Sequence, residues 1–99
     1  MAVTIVTRWT GTADGATKAG RLAKTLWTKH GAKDLRLSQI YTGPFSGQWI
    51  VATTFDNLEA YAKAQAAAGS GAEYRKLVEI VAKSGGSLQE REILVGVDL

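Results

Sequence analysis

His30 is the one side chain in this sequence that exchanges a proton near neutral pH, so a search for a general acid or base begins with it. It ends a stretch, Asp14 to His30, whose apolar residues recur at helical spacing. Placed about 100° apart, Ala16, Ala19, Gly20, Leu22, Ala23, Leu26, Trp27 and His30 share one arc. On that arc His30 could point into a pocket as a base or a ligand. A histidine in the last turn before Gly31 is also well placed against the helix C-terminal dipole, where it caps carbonyls, and that structural role is the commoner one.

A second constellation is aromatic. Trp9, Tyr41 and Trp49 fall on three separate strand-like runs, and with Gln39 and Thr7 they can line an apolar pocket carrying a few polar groups. The same rings would equally fill a core or a subunit interface. Arg8, Arg36 and Arg91 also lie in strand-like runs, with Glu90 and Glu92 flanking Arg91. An inward arginine binds a carboxylate or an enolate, whereas one on an edge strand keeps the edge soluble or bridges subunits.

Much chemistry is excluded. The sequence has no cysteine, which removes disulfides, thiolate metal sites and cysteine nucleophiles, and with one histidine it cannot build a His-rich zinc site within one chain. Gly11 to Gly15 lacks the glycine spacing of a dinucleotide fingerprint. No serine triad, phosphate-binding loop or carboxylate cluster is visible, so no metal and no cofactor are expected. The net charge of +3 is uneven: residues 1 to 55 carry seven Lys or Arg against two acids, and the remainder five against seven. Lys18, Arg21, Lys24, Lys29 and Lys33 could meet phosphates, but Gly47-Gln48-Trp49-Ile50-Val51 lacks the basic and paired aromatic residues of an RNA-binding strand, so no nucleic-acid partner is expected. Met1 to Trp9 is too short and interrupted for a signal core or a membrane span, and a cytoplasmic protein is expected.

The elements that must position these residues emerge from periodicity. Val3, Ile5, Thr7 and Trp9 alternate with Thr4, Val6 and Arg8 as a strand ending at Gly11. The helix from Asp14 comes next, with Thr12 or Asp14 as its cap. Leu35 to Tyr41 and Gln48 to Phe55 read as an antiparallel hairpin around Gly43-Pro44-Phe45-Ser46-Gly47. Asp56 with Glu59 has capping-box spacing for a helix to Ala68, Gly69-Ser70-Gly71 breaks it, and Ser70 with Glu73 repeats the spacing for a helix to Lys83. Leu88 to Val97 closes the chain as a strand. The expectation is one domain over residues 1–99, α+β, with a ferredoxin-like βαββαβ order, a four-stranded antiparallel sheet and a second helix broken in two.

A sheet with helices on one face and water on the other should alternate cleanly, and these strands do not. Trp49, Val51 and Phe55 oppose Ile50 and Ala52; Val3, Ile5 and Trp9 oppose Val6; Ile93, Val95 and Val97 oppose Leu88 and Leu94. Both faces look covered, and one chain has helices for only one of them, so a homodimer is expected.

The element order, the length, the two-sided sheet and the junction Thr54-Phe55-Asp56-Asn57-Leu58-Glu59-Ala60-Tyr61 resemble the dimeric α/β-barrel superfamily, across essentially the whole chain. That resemblance implies two sheets facing one another in a dimer and a cavity beside the sheet. The superfamily includes small cofactor-independent monooxygenases, haem-binding proteins, isomerases and stress-response proteins, so the resemblance implies no single chemistry. The expected function is binding or transformation of a small apolar or aromatic molecule, with Trp9, Gln39, Tyr41 and Trp49 shaping the site and His30 as its base. The alternative is a noncatalytic structural or regulatory dimerisation module.

Overall fold

The computed structural model describes residues 1–99. Its elements are β1 (Val3–Trp9), α1 (Ala13–Lys29), β2 (Asp34–Gln39), β3 (Trp49–Phe55), α2 (Leu58–Ala68), α3 (Ala72–Lys83) and β4 (Leu88–Val95). The strands form one antiparallel sheet in the order β2-β3-β1-β4, which is the ferredoxin-like arrangement anticipated from the element order.

The helices start and stop for local reasons. Thr12, in extended conformation, accepts the Gly15 amide on Oγ1 at 3.1 Å and so caps α1. Gly31, at a φ of 100°, lets the chain reverse so that the Ala32 amide returns to the Trp27 carbonyl at 2.9 Å. The cap of α2 is Asn57 rather than Asp56: its Oδ1 accepts the Ala60 amide at 2.8 Å, while Asp56 points to an ion pair with Lys33. Ser70 does not cap α3 either. Gly71 holds that position and offers no side chain. Residues 69–71 separate α2 from α3.

Strand pairing decides the faces. Cross-strand partners share a face, so Val3, Ile5, Thr7 and Trp9 lie with Phe55, Thr53, Val51 and Trp49 under the helices. Phe55 and Leu26 are each 1 % exposed at the centre of this core. Gly20 of α1 lies against Leu37 of β2, where a Cβ would stand 3.2 Å from its Cδ2, so a small residue lets the helix sit close to the sheet. The other face carries Thr4, Val6, Ile50, Ala52 and Thr54, all half-buried. At its end the Arg8 guanidinium lies 3.6 Å from the Phe45 ring centroid and 3.0 Å from Glu90.

One irregularity reshapes the inner face. The β1–β4 register shifts between Arg8 and Trp9, so that Thr7 faces Arg91, Arg8 faces Glu90 and Trp9 faces Leu88. Gln89 is the extra residue of a bulge. Simple alternation puts Leu88 with Leu94 on the outer face; the bulge instead turns Leu88 inward beside Trp9. The closing strand also stops at Val95, short of Val97. The helices pack on one another and over β2 and β3, leaving the core-facing side of β4 open, with Ile93 and Val95 exposed at 46 % and 55 %.

Candidate ligand cavity

Between the inner face of the sheet and the helices lies a cavity of about 40 Å³. That is room for roughly three waters at one probe sphere each. Its apolar wall comes from Ile5, Trp9, Val51 and Phe55 of the sheet, Ala23 and Trp27 of α1 and Leu77 of α3, with Leu88 supplied by the bulge. Rings meet edge to face around it. Trp27 and Phe55 have centroids 6.4 Å apart at 83°, Trp27 and Tyr74 6.3 Å apart at 72°, and Tyr61 tilts against Phe55 at 5.5 Å. The polar lining is Thr7, Thr53, Gln65, Tyr61, Tyr74 and Arg91.

Two groups give this cavity chemical character. Trp9 is 2 % exposed and its indole Nε1–H has no hydrogen-bond partner in the protein. A buried donor left without a partner costs about 1–3 kcal/mol, so such groups call for an acceptor. By contrast Trp49, opposite Trp9 in the register, donates its Nε1–H to the Gly11 carbonyl at 3.1 Å.

Arg91 is the second. It reaches from β4 across the mouth, donating from a terminal nitrogen to the Tyr74 hydroxyl at 2.9 Å and from Nε to Thr7 Oγ1 at 3.4 Å. Desolvation opposes its charge, yet the hydrogen bond and field of Tyr74, with a smaller contribution from Tyr61, outweigh it and move the guanidinium pKa upward. No carboxylate pairs with it, whereas Arg8 and Arg36 are bound to Glu90 and Asp34. The mouth therefore carries a permanent cation held by neutral hydroxyls.

Of the residues singled out in the sequence, Trp9 lies in this wall together with Thr7. His30 is the C-cap of α1; its backbone amide turns back to Trp27 and Thr28, and its side chain is not part of the lining. Gln39 is exposed and donates to the Gly47 carbonyl at 3.1 Å. Tyr41, 91 % exposed, stands on the β2–β3 connection. Trp49 shares the inner face with Trp9 without entering the lining. Arg91 is one of the three strand arginines with the option of binding an anion, whereas Trp27, Tyr61, Gln65 and Tyr74 join it only through the packing of α1, α2, α3 and β4. Tyr74 carried a signal, because it lies on the apolar arc of α3 with Leu77 and Val81. No group of three or more His, Asp or Glu side chains is placed to hold a metal ion, and no helix is long and apolar enough to cross a membrane.

No protein-family model matches the chain, and no curated protein does. Solved structures do. SnoaB, a cofactor-independent oxygenase from Streptomyces nogalater, superposes at a TM-score of 0.69 with 13% identity, over 99% of this chain and 95% of that one. A Deinococcus radiodurans protein proposed to be an antibiotic biosynthesis monooxygenase gives 0.64 at 12% identity, over 100% and 95%. A dimeric ferredoxin-like protein of unknown function from Thermobifida fusca gives 0.60 at 13%, over 95% and 88%. At these identities the likeness is one of fold, and the chain shares the ferredoxin-like fold of these structures.

Proposed function

We propose that this chain forms a homodimer in which each subunit binds, and in the enzymatic version of the reading transforms, a small aromatic molecule in the cavity between sheet and helices without a cofactor. The observation that carries this is an aromatic-walled cavity, lined by a Trp9 whose buried Nε1–H has no partner, with Arg91 and Tyr74 hydrogen-bonded at its edge. A buried indole N–H without an acceptor is a cost that packing of the ring alone does not recover. In a reaction, Arg91 would stabilise negative charge on a substrate oxygen and Tyr74 would hold or deliver a proton there. His30, at the far end of α1, stands outside that geometry. The SnoaB likeness supports the oxygenase version; it supplies no residue role.

The dimer rests on the outer sheet face, where Val6, Ile50 and Ala52 are accompanied by Leu94 at 51 % exposure. A second copy is the covering this face lacks.

One observation favours the noncatalytic dimerisation module instead. A dry apolar cavity of about 150 Å³ accommodates benzene, and the cavity here is about 40 Å³. A ring enters only if Tyr61 or Tyr74 swings aside. Both are half-buried, with the Tyr61 hydroxyl 3.4 Å from Gln65 Oε1 and the Tyr74 hydroxyl accepting from Arg91 at 2.9 Å. The test is an amide and indole NMR titration with p-cresol. The ligand-binding reading expects saturable shifts at Thr7, Arg91 and the Trp9 Nε1–H, whereas a spectrum unchanged at millimolar p-cresol supports the module.

A further inference from the structure

The two polar features of the cavity are of the same sign in what they ask for. Trp9 Nε1–H is a buried donor without an acceptor, and Arg91 is a cation whose protein partners are hydroxyls rather than a carboxylate. Trp9 is fully buried, and Arg91, an exposed residue, is tied to both the sheet and α3. Arg91 Nε touches Thr7, and Trp9 comes two residues later on the same face of β1, about 7 Å along the strand. Ile5, Trp27 and Phe55 line the same cavity and offer a flat apolar body their side chains.

We infer that the ligand class of this site is a small planar aromatic anion one ring long. Its carboxylate or equivalent oxyanion lies on the Arg91 guanidinium, and a hydrogen-bond acceptor at the opposite end of the ring meets Trp9 Nε1–H. This inference rests on the cavity reading above and names its ligand. The anion replaces the Tyr74 hydroxyl on Arg91, because a carboxylate brings a full opposite charge and can take two guanidinium N–H groups side by side where the hydroxyl takes one. Releasing Tyr74 removes the strap between β4 and α3 at the mouth, which is how a space too small for a ring in the closed form comes to admit one.

The test is a calorimetric titration at pH 7 with three probes: 4-hydroxybenzoate, benzoate and neutral 4-hydroxybenzamide. The expected order is 4-hydroxybenzoate first, with 4-hydroxybenzamide weaker by about tenfold or more and benzoate weaker by about three- to tenfold for want of the acceptor that meets Trp9. Arg91→Gln should erase the preference for the acid over the amide, and Arg91→Lys should restore part of it. Far-ultraviolet circular dichroism of both variants checks that they fold. Equal affinity for acid and amide overturns the anion assignment and leaves the cavity reading standing. Equal affinity for 4-hydroxybenzoate and benzoate overturns the role of Trp9. Failure of all three probes to bind overturns the inference and the cavity reading together.

Discussion

Gly15 lies in the first turns of α1, fully packed, and its exchange for alanine brings two effects of opposite sign into competition. Alanine is favoured over glycine inside a helix by about 0.8–1.0 kcal/mol. At this position, however, a Cβ would overlap the Ser84 Cβ and stand 2.6 Å from its Oγ, at the end of α3. Overpacking of that kind costs about 1–3 kcal/mol, so the balance is a loss of about 1 kcal/mol, or about 4–8 °C in Tm for a domain of this size. The obstacle is a removable side chain. In a Ser84→Gly background the nearest remaining atom is Thr12 Oγ1 at 3.3 Å, and the same substitution should then stabilise by about 0.5 kcal/mol. The sign reversal between backgrounds far exceeds the few tenths expected of independent sites. Urea unfolding followed by tryptophan fluorescence reads both arms. A Gly15→Ala protein more stable than wild type, or the same change in both backgrounds, would refute the reasoning. The junction matters to the cavity because it also holds Gly11, whose carbonyl takes the Trp49 indole, and Gly86, whose place against the Thr10 carbonyl leaves no space for a side chain. These contacts fix the ends of β1 and β4 next to the bulge that carries Trp9 and Leu88.

Two further predictions concern local energetics. Asn57→Ala removes the acceptor of the Ala60 amide and should cost about 1 kcal/mol, lowering Tm by about 4–8 °C, while Asp56→Ala should cost less, as thermal unfolding of the pair would show. The Arg36 hydrogen bond at 3.0 Å holds the Asp34 carboxyl below its ordinary 3.8. A depressed folded pKa favours the carboxylate, so its contribution is present above the unfolded value and disappears as pH falls through the folded one. A carbon-detected NMR titration should place the Asp34 midpoint below 3.8, and Arg36→Gln should raise it.

The fold was legible where a pattern repeats. The arc of α1 reads directly from spacing, and Ala16, Ala19, Gly20, Ala23, Leu26 and Trp27 are all buried as it requires. Odd positions of β3 point inward and even ones outward, as alternation demands. What failed depended on single residues. Nothing in Leu88-Gln89-Glu90-Arg91 announces that Gln89 is extra, so alternation alone puts Leu88 on the wrong face. Asn57 and Asp56 offer the same acceptor chemistry one position apart, and only backbone geometry chooses between them. The cavity was the least legible part. Its polar mouth joins residue 7 to residues 74 and 91 through a sheet register and a helix approach that no local window contains.

In this account the fold carries a site for a small aromatic anion in each subunit of a dimer. Native mass spectrometry of the purified protein, before and after addition of 4-hydroxybenzoate, tests it most directly, since one spectrum counts both subunits and ligands. The expected species has twice the 10.6 kDa chain mass and takes up two ligands that Arg91→Gln no longer retains. A monomer, or a dimer that takes up none, would contradict it.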